Sequence, residues 1–203
     1  MKVHVVAYGS GNIRSVINAF ERIGVTAIAQ ASPDGIGTAS HVLLPGVGAF
    51  ADAMARLDRA GWPDALRSHV SAGRPLLGIC LGMQLLASVG EEGGPTAGLD
   101  LIRGRVGHLT EVAADVRVPH VGWNDVGLPR TSRILGSLPE QTDFYFSHSY
   151  MLRPDDERCI AGTVDHGASV VAAVEEGPVA GVQFHPEKSS RAGLRVLENF
   201  VAR

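Results

Sequence analysis

With 203 residues, 45% of them hydrophobic and 19% charged, the chain has the size and composition of one large globular domain, not of a fibre or a disordered segment. A net charge of −3 supplies neither the basic surface nucleic acid needs nor the basic amphipathic face of a membrane-surface protein. No apolar run approaches the ~20 residues of a bilayer span. Cys80 and Cys159 make neither a disulfide framework nor a zinc pattern, so a cytoplasmic, reduced protein without metal or cofactor is expected.

The first half alternates strand-like and helix-like segments. KVHVVAY (2–8) is too short for a leader and reads as a buried strand, followed by the turn GSGN and a helical pattern over 13–24. VTAIAQ (25–30) is a second strand. HVLLP (41–45) is a third, turning through GVG into the helix AFADAMARLDRAG. A further helix, WPDALRSHVSAG, leads to PLLGIC (75–80), and another helix begins at Leu81. Val-, Ile- and Leu-rich strands separated by helices predict a mostly parallel sheet covered on both faces. From about residue 99 the pattern becomes strand-rich: LDLIRGRVGHLT, RVPHVGWNDV, DFYFSHSYM, CIAGTV, ASVVAAVEEG and VAGVQF read as successive strands. RAGLRVLENFVAR (191–203) closes the chain as an amphipathic helix. With no internal repeat or linker, residues 1–203 form one α/β domain whose second half adds antiparallel strands.

In open parallel sheets, ligands bind beyond the carboxyl ends of strands. Three glycine-bearing turns fall at such ends: GSGN (9–12), PGVG (45–48) and GICLG (78–82). The last places Cys80 between a strand and a helix, with glycines two residues to either side. That is the pattern of a nucleophile elbow, with cysteine where a hydrolase has serine. A thiol attacks as thiolate, and a helix N-terminus or a histidine cation favours that form. A buried structural cysteine is the other reading, and Cys159 fits it.

A nucleophile needs a base. Of the eight histidines, His4 and His41 sit in strand patterns, His69 on a helix and His166 in a turn. His185 in GVQFHPEKS stands at a strand end, stiffened by Pro186, with the Glu187 carboxylate two positions on to accept its second N–H. Backbone amides at Val47 and Gly48, with that of Leu81, are candidates for an oxyanion hole.

These residues together resemble the class I (triad) glutamine amidotransferases: Gly-Ile-Cys80-Leu-Gly-Met-Gln, His185-Pro-Glu187 and Pro-Gly-Val-Gly. YGSGNIRSV (8–16), VPHVGWNDV (118–126), FYFSHSYM (144–151) and FHPEKS (184–189) narrow the resemblance to the glutaminase subunits of imidazole glycerol phosphate synthase. The resemblance covers essentially the whole chain and implies a flavodoxin-like fold. It also implies glutamine hydrolysis through a thioester on Cys80, with His185 as acid and base and Glu187 holding His185. Gly46, Gln84, Glu92, Ser147, His148 and Ser149 match substrate-holding positions. A (βα)8-barrel cyclase is implied as the partner that takes up the ammonia, facing Asn12, Arg14, Trp123, Asn124, Tyr145 and Lys188.

Without the resemblance, Trp123 and Tyr145 read equally well as core residues, and Glu92 as a solvated loop acid. Where the family often has Asp-Tyr-Gly, this chain has Ala7-Tyr8-Gly9. Rival functions are a glutaminase serving a pyridoxal phosphate or anthranilate synthase, a cysteine peptidase on the same sheet type, or a non-catalytic binding subunit. VPHVGWN opposes the first, and an intact Cys80, His185 and Glu187 oppose the last.

Overall fold

The computed structural model describes residues 2–112, 116–128, 131–136, 138–139 and 141–202. Arg203, the last residue of the predicted closing helix, lies outside them. The first half follows the predicted alternation: β1 (Lys2–Val6), α1 (Ile13–Arg22), β2 (Thr26–Gln30), β3 (His41–Gly46), α2 (Phe50–Arg59), α3 (Trp62–Ser71) and β4 (Leu76–Cys80). A single turn of helix follows, α4 (Leu81–Gln84). The second half contributes β5 (Val89–Gly90), β6 (Thr96–Ala97), β7 (Gly104–His108), β8 (His120–Gly127), β9 (Thr142–His148), β10 (Tyr150–Pro154), β11 (Ile160–Asp165), β12 (Ser169–Glu176), β13 (Val179–Val182) and α5 (Ser190–Val201).

A nine-stranded sheet runs β2-β1-β3-β4-β13-β12-β11-β8-β9. Its β2 to β13 half is parallel, and every later pairing is antiparallel. Every residue of β3, β4 and β13 is buried, as expected for central strands covered on both faces. One face packs Phe20, Val196, Leu197 and Phe200 of α1 and α5; the other packs Phe50, Leu57, Trp62 and Leu66 of α2 and α3. Each such side chain contributes about 1.5–3 kcal/mol by leaving water. α1 begins where the Asn12 side chain accepts from the Ser15 amide, satisfying one of the donors a helix start leaves open.

Three sequence expectations change. LDLIRGRVGHLT is a strand only from Gly104; Leu99 and Ile102 before it are buried in irregular backbone. DFYFSHSYM is two strands, because the chain leaves the large sheet at Ser149 and enters a second, four-stranded sheet, β10-β7-β5-β6. The helix at Leu81 ends after one turn, so it supplies far less N-terminal dipole than a full helix would. Its continuation, Leu85 to Ala87, is instead buried in the core.

Candidate functional site

β3, β4 and β13 end side by side, and their carboxyl ends open on a cavity of about 390 Å³. Cys80 lines it at the end of β4, with φ +54° and ψ −112°, a left-handed backbone that non-glycine residues rarely adopt. The two flanking glycines explain how the chain makes this corner. A Cβ at Gly82 would run into the Leu44 carbonyl, and one at Gly78 would lie 2.6 Å from the Gly82 oxygen. Both glycines therefore admit backbone against backbone. The space beside the sulfur follows from the turn they permit.

His185 closes one side of the cavity. Its Nδ1 donates to the Glu187 carboxylate over 2.8 Å, with both side chains almost fully buried. This leaves Nε2 as the ring nitrogen available to the sulfur. Burial disfavours the imidazolium, but interactions with Cys80 and Glu187 outweigh it and raise the His185 pKa from 6.5 to about 9. A proton is thus held on the imidazole through neutral pH.

The expected oxyanion donors are only partly in place. Leu81 follows the sulfur directly and lines the cavity, as do Val47 and Gly48. The Val47 amide, however, donates to the Ser10 hydroxyl over 3.3 Å, and that hydroxyl donates back to the Val47 carbonyl over 2.5 Å. Gly46 is buried beneath, where a side chain would collide with the Tyr8 hydroxyl at 2.7 Å and crowd the Gly82 amide at 3.0 Å. It supports the turn and contributes no wall of the cavity.

The cavity's other walls collect Gln84, Glu92, Ser147, His148 and Ser149, all of the remaining substrate positions predicted. One Glu92 oxygen accepts from the Phe50 amide over 2.7 Å, taking up a donor at the start of α2 that no side chain of Ala49 reaches. Glu92 is thus a fixed, half-buried carboxylate, not a solvated loop acid. His148 is neutral: burial lowers its pKa to about 4, with His166 and His185 adding to the effect against the Tyr150 carbonyl. Among the described residues, no group of three or more His, Cys, Asp or Glu is placed to hold a metal ion.

The predicted partner residues divide. Trp123 is 53% exposed, so the core reading is wrong for it, and Val47 and Val121 stand exposed near the same cavity. Lys188 lines the cavity and lies 5.5 Å over the Tyr145 ring, which is itself half-buried. Arg14 is exposed. Asn12 and Asn124 already have internal work: Asn12 caps α1, and Asn124 donates to the Asp165 carbonyl and to His120.

With this geometry in hand, comparison with known proteins decides the family. Residues 4–203 match the family model described as "Glutamine amidotransferase class-I". The chain belongs to the class-I glutamine amidotransferase family. It is 48% identical over 198 residues to "Imidazole glycerol phosphate synthase subunit HisH" of Moorella thermoacetica, covering 98% of this chain and 93% of that protein. The subunit of the same name from Chlorobaculum tepidum is 43% identical, covering 98% of both chains. Among solved structures, "Structure of PurLQS from Thermotoga maritima" superposes with a TM-score of 0.77 at 17% identity, over 99% of this chain and 97% of that one. "Crystal structure of glutamine amidotransferase" does so with 0.75 at 20% identity, over 98% and 97%. Those two likenesses speak for the fold.

Three further residues stand around this cavity: Ser10, His120 and Gln183. Ser10 has no local signal beyond its glycine turn, because its contact with Val47 is 37 residues away. His120 bonds His148 across the sheet, a pairing that only the β8–β9 register reveals. Gln183 was detectable: it is the one polar side chain in the apolar run VAGVQF, two residues before His185.

Proposed function

We propose that this chain hydrolyses L-glutamine on Cys80 and passes the ammonia to a (βα)8-barrel cyclase, as the glutaminase subunit of imidazole glycerol phosphate synthase in histidine biosynthesis. The observation that carries the chemistry is the strained Cys80 at a strand end beside a buried, proton-bearing His185 held by Glu187. Near-full-length similarity to HisH subunits supports the assignment to that synthase.

In this reading the Cys80 sulfur, as thiolate, attacks the side-chain amide carbon of glutamine. The oxygen of the tetrahedral intermediate is held by the Leu81 amide and an amide of the Val47–Gly48 turn, donors worth roughly 3 kcal/mol each. His185 gives its proton to the departing nitrogen, so ammonia leaves and a glutamyl thioester remains. The imidazole then takes a proton from water as that water attacks, and the carbon–sulfur bond breaks to release glutamate. One water is consumed for each glutamine. Glu187 keeps Nε2 aimed at the reacting atoms throughout.

Gln84 and Glu92 hold the substrate's α-ammonium, while Ser147, His148 and Ser149 form the segment beside its carboxylate. The cyclase covers the cavity mouth, contacting Asn12, Arg14, Trp123, Asn124, Tyr145 and Lys188, with the exposed Trp123 as anchor. It joins the ammonia to its nucleotide substrate, giving imidazole glycerol phosphate and aminoimidazole carboxamide ribotide. The reaction is cytoplasmic and needs no cofactor. Without the cyclase the chain is nearly silent, since the Val47 amide is occupied by Ser10.

The test is glutamate production from glutamine by the chain alone, with a barrel cyclase, and with cyclase plus its nucleotide. Stimulation by cyclase and nucleotide that disappears in Cys80→Ala is expected. Trp123→Ala should weaken cyclase binding roughly 10-fold to 100-fold, as a central aromatic anchor does, with an unchanged melting temperature. Activity in Cys80→Ala would overturn the chemistry. Full activity indifferent to any cyclase would overturn the partner.

A further inference from the structure

A buried amide side chain stands behind the nucleophile. Gln183 directly follows the last residue of β13 and is fully buried, and its Nε2 lies 3.8 Å from the Cys80 sulfur. The direction of this contact is set by its neighbours. The Tyr150 carbonyl can only accept, and it receives Gln84 Nε2 at 2.8 Å. Gln84 Nε2 directs its other hydrogen to Gln183 Oε1 at 3.0 Å. With its oxygen so engaged, Gln183 can present only its NH2 to the sulfur.

The same carbonyl fixes the other side of the site. It also accepts from His148 Nδ1 at 2.9 Å, so His148 Nε2 carries a lone pair and receives His120 Nδ1–H at 3.0 Å. His120 Nε2 in turn accepts from Asn124 Nδ2 at 3.3 Å. Every donor in this chain has an acceptor available, and reversing Gln183 would set its NH2 against that of Gln84. A buried network satisfied in only one arrangement is rigid.

We propose that Gln183 is a positioning residue for the nucleophile. Its NH2 donates to the Cys80 sulfur, fixes the orientation of the Cys80 side chain from the core side of the elbow and stabilises its negative charge before attack and after the thioester breaks. The role rests on the reading of Cys80 as nucleophile. A second anchor is needed there because the Ser147 carbonyl, 3.9 Å from the sulfur, is an acceptor and favours only the protonated thiol. An N–H donor is the one contact in that pair that favours the anion.

The experiment compares the native chain, Gln183→Met and Cys80→Ala, all with cyclase and nucleotide bound. Gln183→Met keeps an unbranched side chain of similar volume and lacks the donor. Expected are a fivefold to tenfold fall in kcat for glutamine hydrolysis with KM within twofold, and an equal fall in the rate of Cys80 alkylation by iodoacetamide at fixed pH. A merely structural role would raise KM and leave kcat and alkylation together unchanged, which overturns the proposal, as does native behaviour in every measure. Should the Met variant not fold, the side-chain amide resonance of Gln183 in a 15N spectrum decides. It should shift on Cys80→Ala, and an unmoved resonance overturns the contact. Glutaminase activity surviving in Cys80→Ala sinks the nucleophile reading itself and is separable from all of these.

Discussion

His185 is almost wholly buried, a setting in which a charged imidazole is ordinarily unfavourable, yet its pKa stands at about 9. Burial is the largest single influence and acts downward; the Cys80 and Glu187 side chains together overcome it. Glu187→Gln removes the charge and leaves a neutral acceptor at Nδ1. The His185 pKa should then fall from about 9 toward 6.5, followed through the ring proton resonances. Glutamine hydrolysis should fall by roughly 10²-fold, the lower end of what a positioned acid–base group supplies. Stability follows the same sign. A group whose pKa is raised on folding stabilises fully below its unfolded value, here 6.5, and the contribution is lost as pH rises through about 9. Urea unfolding between pH 6.5 and 9 should therefore show a decline in the native chain that is smaller in Glu187→Gln. An unchanged His185 titration in that variant would remove Glu187 from its assigned role.

At the scale of the element, the turn after β3 faces competing demands. Gly48 at φ +99° has a backbone only glycine adopts without strain, so rotating the Val47–Gly48 peptide before it meets little steric resistance. Ser10, from the turn after β1, donates to the carbonyl of that peptide and accepts from the Val47 amide of the preceding one, so both peptides are held and the Val47 amide is taken up. Ser10→Ala deletes both. With a net worth of about 1 kcal/mol for such bonding, basal glutaminase activity of the chain without cyclase should rise about fivefold, measured as glutamate released per site. A fall or no change would show that Ser10 does not restrain the turn. The contrast between these two turns also shows what sequence discloses. PGVG and GICLG were legible because their glycines answer local steric demands at strand ends. The Ser10 contact spans 37 residues and depends on β1 and β3 lying side by side, which no local pattern encodes. Likewise, FSHSY reads as unbroken strand, and only the rival pairing of β7 with β10 breaks it at Ser149.

For the whole molecule, the parallel half was readable from its apolar strands and helical spacing, and the proposed catalytic residues drew notice by the strand ends they occupy. The antiparallel half was less so, since strand order β12-β11-β8-β9 follows from long-range pairing and not from periodicity. That half carries a cost of its own. Its junction with the site stacks His120 against His166 at 4.0 Å and bonds it to His148, placing three imidazoles together. Burial and then the neighbouring histidines lower His120 to about 3, and burial chiefly lowers His148 to about 4. Both are neutral in the folded chain at pH values where an unfolded histidine is charged. The sign is opposite to that of His185: the contribution is complete above 6.5 and is lost as pH falls through the folded values. Each group removes up to about 1.4 kcal/mol per pH unit within that window. Urea unfolding at pH 7, 6, 5 and 4 should thus show stability falling from 6.5 downward, before most carboxylates protonate. His120→Gln keeps a hydrogen-bonding side chain at the same place and does not titrate, so its decline should be shallower by about one proton's worth of slope. Equal slopes in the two proteins would mean that the cluster opens to water on acidification and relieves its charge without unfolding the sheet.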